Sequence, residues 1–180
     1  MFTTKNVTLR PLQESDIEQM YSWELDMEIS RMSGVGRKRT YAQFQNSYES
    51  YFSKSTDSLV LFAIEFDNKL VGRAELGLID RFHQRGAFGI VIGEKEMWGK
   101  KIGSAALTLL LDYAFHIENL QRIYAEVYDF NTRSQRLLEA AGFTYEGKLR
   151  QHEFHNGKMQ DMLVYGILKE EFSGESVIVK

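Results

Sequence analysis

The chain has 180 residues, with 22 Lys+Arg against 25 Asp+Glu, no cysteine, one proline and 43% apolar residues. That length suits one domain able to bury a core without disulfide or metal, and the missing cysteines exclude a thiolate metal site and a cysteine nucleophile. A net charge of −3 gives no general affinity for nucleic acid, which rests on neutralising phosphates, and 13% aromatic residues argue against disorder.

The N-terminal MFTTKNVTLRPLQESD holds no apolar stretch of signal length, and Arg10 and Pro11 interrupt it early. No run of about 18 apolar residues follows, so no membrane partner is expected and the protein reads as soluble and cytoplasmic. No repeat or linker divides the chain. The expectation is a single domain over 1–180, with its core at about 6–170 and a tail at 171–180.

In chain order, Asn6–Leu12 alternates as a first strand. Glu14-Ser15-Asp16 supplies caps and early acids for a helix over Ile17–Leu25. Ser33–Arg39 is Gly-interrupted and basic, a mobile loop. Tyr41–Phe52 places aromatics at helical spacing. Ser58–Phe66 and Lys69–Asp80 read as strands joined at Asp67-Asn68, and Gly86–Gly93 as a buried strand. The longest helix is Gly99–Glu118, with Ile102, Ala105, Ala106, Leu109, Leu110 and Tyr113 on its apolar face. Gln121–Tyr128 is a strand and Asn131–Ala141 a helix stopped by Gly142, a residue suited to a left-handed cap. Two last strands, about Phe143–Phe154 and Met159–Leu168, flank the strong hairpin dipeptide Asn156-Gly157. The pattern is α/β (α+β), with one main sheet.

The passage IVIGEKEMWGKKIGSAALTLL runs from a buried strand through a Gly/Lys turn into the long helix. Helix N-termini present unpaired N–H groups and a positive dipole end, a setting that binds phosphate. Gly99 and Gly103 permit close approach, and Lys100 and Lys101 add charge; a plain Gly-punctuated turn is the other reading. Neither GxxxxGK[ST] nor GxGxxG is spelled anywhere here, which disfavours nucleotide hydrolases and nicotinamide enzymes.

Taken together, Thr8-Leu9-Arg10-Pro11-Leu12, the Trp98–Ser104 turn, Asn131-xx-Ser134-xx-Leu137-Leu138-Glu139-xx-Gly142-Phe143, Glu146-Gly147-x-Leu149-Arg150 and Asn156-Gly157-Lys158-x-x-Asp161 resemble the GNAT superfamily of acetyl-CoA-dependent N-acetyltransferases. The likeness is to its branch of ribosomal-protein alanine and spermidine acetyltransferases. It implies a mixed, mostly antiparallel sheet of about six to seven strands flanked by about four helices. It also implies acetyl-CoA as cosubstrate, with no metal, and a primary amine as acceptor: a protein N-terminus, a polyamine or another small amine. Relatives often dimerise, so a homodimer stays open.

The family's loop pattern, Gln/Arg-x-x-Gly-x-Gly/Ala, falls on Trp98, Lys101 and Gly103, and only Gly103 keeps the family residue. By resemblance, the N–H groups of Trp98, Gly99, Lys100, Lys101, Ile102, Gly103 and Ser104 hold the coenzyme pyrophosphate. Ile90, Val91 and Ile92 pair with the pantetheine arm as a short added strand, which Asn131 and Ser134 also contact. The implied chemistry is acyl transfer from thioester to amine. It needs a base for the ammonium, a backbone donor near Ile92 for the developing oxyanion, and an acid for the thiolate. The Tyr that often serves as acid is Leu138 here. A non-catalytic acyl-CoA sensor is therefore the alternative to an enzyme.

For the base, Glu75 matches an acidic position of spermidine acetyltransferases; the plainer reading is a strand carboxylate facing Arg73 or Arg85. Glu126 is a second choice. Tyr128 could supply the proton, or be a half-buried sheet aromatic. His152 and His155, three apart on a strand, make a poor metal pair, and His83 and His116 read as surface residues. Tyr21 and Trp23 could wall the acceptor site, with core packing as the other reading. Arg37-Lys38-Arg39 reads as a solvated run or as a steering patch for phosphates.

Overall fold

A computed structural model describes residues 1–4, 6–34, 38–53, 57–174 and 176–177. Its strands are β1 (Phe2–Thr4), β2 (Val7–Pro11), β3 (Val60–Phe66), β4 (Lys69–Asp80), β5 (Arg85–Ile92), β6 (Arg122–Tyr128), β7 (Thr144–His155) and β8 (Lys158–Leu168). Its helices are α1 (Ile17–Leu25), α2 (Met27–Met32), α3 (Tyr41–Ser53), α4 (Ile102–His116) and α5 (Thr132–Ala140). All the strands join one eight-stranded sheet in the order β1-β2-β3-β4-β5-β6-β8-β7. Every pairing is antiparallel except β5 with β6, whose parallel course requires the crossover that α4 provides.

Eight strands replace the expected six to seven because the three-residue β1 pairs with β2, Phe2 opposite Leu9. The two hairpin dipeptides behave as expected. Asp67 (φ 50°) and Asn68 (φ 62°) are both left-handed, as are Asn156 (φ 51°) and Gly157 (φ 81°). That geometry matches the right-handed twist of the strands on either side. Gly142, at φ 90°, ends α5 as a glycine cap should.

At β3 the sheet is buried on both faces, which explains the strand's unbroken apolar run. Phe62 and Ile64 point to a core shared with α4, while Leu61 and Ala63 point to one shared with α1, α2 and α3. In the first core α4 is enclosed nearly all round, Leu107, Leu109, Leu110 and Leu111 all being inaccessible. Each such side chain stabilises the fold by about 1.5–3 kcal/mol on transfer grounds. Asp112 lies in the same enclosed surface, accepting from Ser176 Oγ (2.7 Å) and the Val177 N–H (2.8 Å) and contacting His116 Nδ1 (2.7 Å).

Asp16 does not cap α1. Its carboxylate folds back to the Gln13 N–H (2.8 Å) and takes both ends of the Arg10 guanidinium (2.8 Å each), tying β2 to the helical layer. α2 is a helix absent from the sequence reading, and Asp26 caps it by accepting from the Glu28 and Ile29 N–H groups. Among the described residues no helix is long and apolar enough to cross a membrane.

Candidate functional site

The parallel pairing of β5 and β6 covers only Arg85, Gly86 and Ala87 against Arg122, Ile123 and Tyr124. Beyond it the strands separate, leaving the rest of β5 without a strand partner on that side. On its other side β5 keeps its ladder with β4, Ile92 opposite Gly72, and the Gly93 N–H reaches Val71 O (2.9 Å). Alternation therefore turns the backbone groups of Ile90 and Ile92 toward the gap. The Ile92 carbonyl accepts from Trp98 Nε1 (2.8 Å), which leaves its N–H facing the gap.

Two cavities, each about 370 Å³, open along this split and share Met32, Ser33, Ile90, Val91, Asn131, Ser134 and Leu137. The first runs to the start of α4. Lys101 there is left-handed (φ 61°, ψ 14°), as is Gly99 (φ 79°), so the chain turns sharply and α4 begins at Ile102, not at Gly99. No side chain caps this helix, in contrast to Asp26 at α2 and Asn131 at α5. The Trp98 N–H is spent on Lys95 O (3.0 Å) and that of Lys100 on Met97 O (3.4 Å). Among the described residues those of Gly99, Lys101, Ile102, Gly103 and Ser104 have no acceptor. The donors expected over Trp98–Ser104 thus shrink to Gly99 and Lys101–Ser104. Lys101, Arg133 and Arg136 line the same cavity and, among the described residues, no carboxylate does. Arg133 lies 4.2 Å over the Trp98 ring, a cation–π contact that fixes both at the groove wall.

The second cavity has the opposite charge: Glu75, Glu126 and Glu153 line it beside Arg73. Glu75 Oε2 accepts from Arg73 Nη1 at 2.5 Å, so the ion pair with Arg73, and not one with Arg85, is the contact made. Gly89 stands opposite Glu75, and a Cβ there would come within 3.0 Å of Glu75 Oε1. The absent side chain is what lets Glu75 lie over β5. Tyr128 is buried, and its hydroxyl donates to Glu153 Oε2 (2.5 Å). Burial, then the hydrogen bond and charge of Glu153, push the phenol pKa well above its ordinary value.

The sequence-named coenzyme residues Ile90–Ile92, Trp98, Gly99, Lys101–Ser104, Asn131 and Ser134 therefore converge on the first cavity. Lys100 is outside its lining. Asn131 holds two tasks already: its Oδ1 accepts from the Ser134 N–H (3.2 Å) and its Nδ2 donates to Met32 O (3.2 Å). Leu138 is enclosed in the main core and borders the second cavity. Trp23 is a core residue whose Nε1 donates to Glu94 Oε1 (2.9 Å), and its ring fills the space a Cβ on Gly93 would need. The Tyr21 hydroxyl is bonded to Arg39 O (2.9 Å). Arg37, with Val35 and Gly36 of the expected loop, lies outside the described residues. Lys38 is exposed and Arg39 half-buried, and both bind Glu24, Lys38 at its carbonyl and Arg39 at its carboxylate.

Sequence reasoning missed Arg133, Arg136 and Glu153 in the cavities and His155 beside Tyr128. The i, i+3 spacing of the two arginines after Asn131 was a usable signal, since it puts both on one helix face. Nothing local marks Glu153 or His155. His155 is buried, with its Nε2 3.1 Å from Arg31 O.

A family model described as an acetyltransferase (GNAT) domain matches residues 6–144. The SPbeta prophage-derived uncharacterized N-acetyltransferase YokL of Bacillus subtilis is 34% identical over 173 residues, covering 95% of this chain and 94% of that one. Spermidine N(1)-acetyltransferase of Escherichia coli K12 is 25% identical over 175 residues, covering 97% and 92%. Among solved structures, spermidine N-acetyltransferase from Vibrio cholerae in complex with CoA and spermine superposes with a TM-score of 0.84 at 27% identity, covering 92% of this chain and 97% of that one.

Proposed function

The chain belongs to the GNAT family of N-acetyltransferases, and from that premise we propose that it moves the acetyl group of acetyl-CoA onto a primary amine within a ternary complex. The observation that carries this reading is the opposed charge of two joined cavities. One combines an uncapped helix N-terminus with Lys101, Arg133 and Arg136, and suits linked phosphates. The other gathers Glu75, Glu126 and Glu153, and suits an ammonium group. They meet at the open edge of β5, where an extended pantetheine arm can pair with the Ile90 and Ile92 backbone.

Glu75 takes the ammonium proton and Tyr128 stands as proton donor to the sulfur, while the Ile92 N–H receives the developing oxyanion. Three carboxylates against one arginine favour an acceptor carrying more than one positive charge, in keeping with the spermine held by the Vibrio cholerae relative. A protein N-terminus or a single small amine needs less of that charge. The test is thiol release from acetyl-CoA across a panel of polyamines, monoamines and peptides. Amine-dependent release, strongest with polyamines, supports the reading. Coenzyme binding with no release for any acceptor would instead favour an acyl-CoA sensor, the reading that Leu138 at the usual acid position encourages.

A further inference from the structure

We propose that Tyr128 and Glu153 form the proton carrier of the transfer step, Glu153 receiving the proton that the acceptor nitrogen sheds and Tyr128 giving its hydroxyl proton to the departing sulfur. The proposal rests on the acetyl-transfer reading above and adds a catalytic role for Glu153, which comes from a strand far from β6 in sequence.

The geometry is built. The two groups are 25 residues apart yet bonded at 2.5 Å, the short distance of a hydroxyl on a carboxylate. Glu153 arrives through an irregularity: pairing passes from Leu149 opposite Met162 directly to Glu153 opposite Gln160, so β7 carries two more residues than β8 there. The bulge is held by left-handed Gln151 (φ 49°), whose N–H donates to Asp161 Oδ1 (2.7 Å). Bulges of this kind re-aim side chains near sites. The Tyr128 ring is fixed by parallel contacts with Phe130 (5.0 Å) and His155 (4.9 Å). A carbonyl only accepts, so His155 Nε2 carries its hydrogen to Arg31 O, and among the described residues the buried Nδ1 has no hydrogen-bond partner. The other charged groups on this chamber are Arg73 and Glu75 from β4 and Glu126 from β6.

At rest the phenol O–H donates to the Glu153 carboxylate. As the C–N bond forms, the nitrogen loses a proton to Glu153, which becomes a carboxylic acid. Its O–H now donates to the phenol oxygen, reversing the hydrogen bond and freeing the phenol proton to turn to sulfur as the C–S bond breaks. Coenzyme leaves as the thiol, Glu153 reprotonates Tyr128, and the pair ends as it began. The first proton, from the ammonium, goes separately to Glu75.

The full chain is tested as Glu153→Gln, Tyr128→Phe and the double variant, with acetyl-CoA and the best amine of the panel. Glutamine still accepts the phenol hydrogen bond but holds no proton, so a purely structural role predicts near-normal turnover. The carrier predicts a kcat loss of about 100-fold or more in each single variant, with the KM for acetyl-CoA and the melting temperature little changed. The double variant should fall no further, because the two groups act as one unit, and the acidic limb of the kcat–pH profile should flatten in Glu153→Gln. Turnover within about threefold of wild type in either single variant, or multiplicative losses in the double, overturns the carrier while acetyl transfer stands. A wild-type protein that releases no thiol with any amine overturns both.

Discussion

Gly103→Ala separates what the fold needs from what a ligand needs. Gly103 is the second residue of α4, and a Cβ there would meet only Ile92 Cγ1 and Leu137 Cδ2, both at 3.9 Å. That is ordinary contact, so the protein itself has room for alanine. Glycine within a helix costs roughly 0.5–1 kcal/mol relative to alanine. The free variant should therefore be more stable, by up to about 2–4 °C in a chain of this size. Coenzyme affinity should move the other way. The new methyl group would lie between Ile92 and Leu137 on the lining of the same cavity, beside the free N–H groups of Ile102, Gly103 and Ser104 proposed to meet a phosphate, and a charge-assisted hydrogen bond is worth about 1.5–3 kcal/mol. Losing one would weaken binding about ten- to hundredfold. Thermal melts with and without CoA, alongside calorimetric titration, read both signs at once. A stabilised variant that binds CoA as tightly as wild type would remove the phosphates from this turn, and with them the placement of the whole coenzyme.

Lys101→Gly should also stabilise the free protein, since a left-handed non-glycine residue costs about 1–2 kcal/mol. Melts check this, and CoA titrations should show a severalfold loss at low salt that shrinks as salt screens the missing ammonium; an equal affinity throughout would mean the ammonium never meets the coenzyme. Glu75→Gln should lower kcat far more than coenzyme affinity and shift the pH–rate profile, whereas an unaltered rate would exclude it as base. Burial alone would raise the Asp16 pKa, but the Arg10 guanidinium and the Gln13 N–H outweigh it and hold the carboxyl below its ordinary value. Its contribution is present above the unfolded value near 3.9 and is lost as pH falls through the lower folded value. Asp16→Asn should therefore flatten the melting temperature's fall below about pH 4, and an unchanged slope would assign that loss to other carboxylates.

Most elements were legible because local patterns and tertiary packing agreed. The turn dipeptides Asp67-Asn68 and Asn156-Gly157 accept left-handed backbone at low cost, so hairpins followed directly. What escaped was short or set by distant partners. β1 has three residues and is held by pairing with β2, and α2 has six, anchored by Asp26 and by ties to the far half of the chain. The start of α4 was placed three residues early because Gly99 and Lys101 share its composition while their backbone turns the other way.

The same division runs through the site. The turn proposed for the phosphates lies within one stretch of chain, so spelling alone could point to it, even with Lys101 in place of the family's glycine; the left-handed backbone at Lys101 suits the glycine usual there. The acidic chamber is assembled from β4, β6 and β7, and no spacing rule links Glu75, Tyr128 and Glu153. The departure at Leu138 illustrates the consequence. Along the chain it reads as a lost hydroxyl. In three dimensions Leu138 is core, and the phenol of Tyr128 opens on the same chamber from the end of the neighbouring strand. On the proposed mechanism, whether the site keeps a proton donor is decided by which hydroxyl reaches the cavity, and the bulge in β7, which follows Leu149 and is held by Asp161, steers a carboxylate onto that hydroxyl.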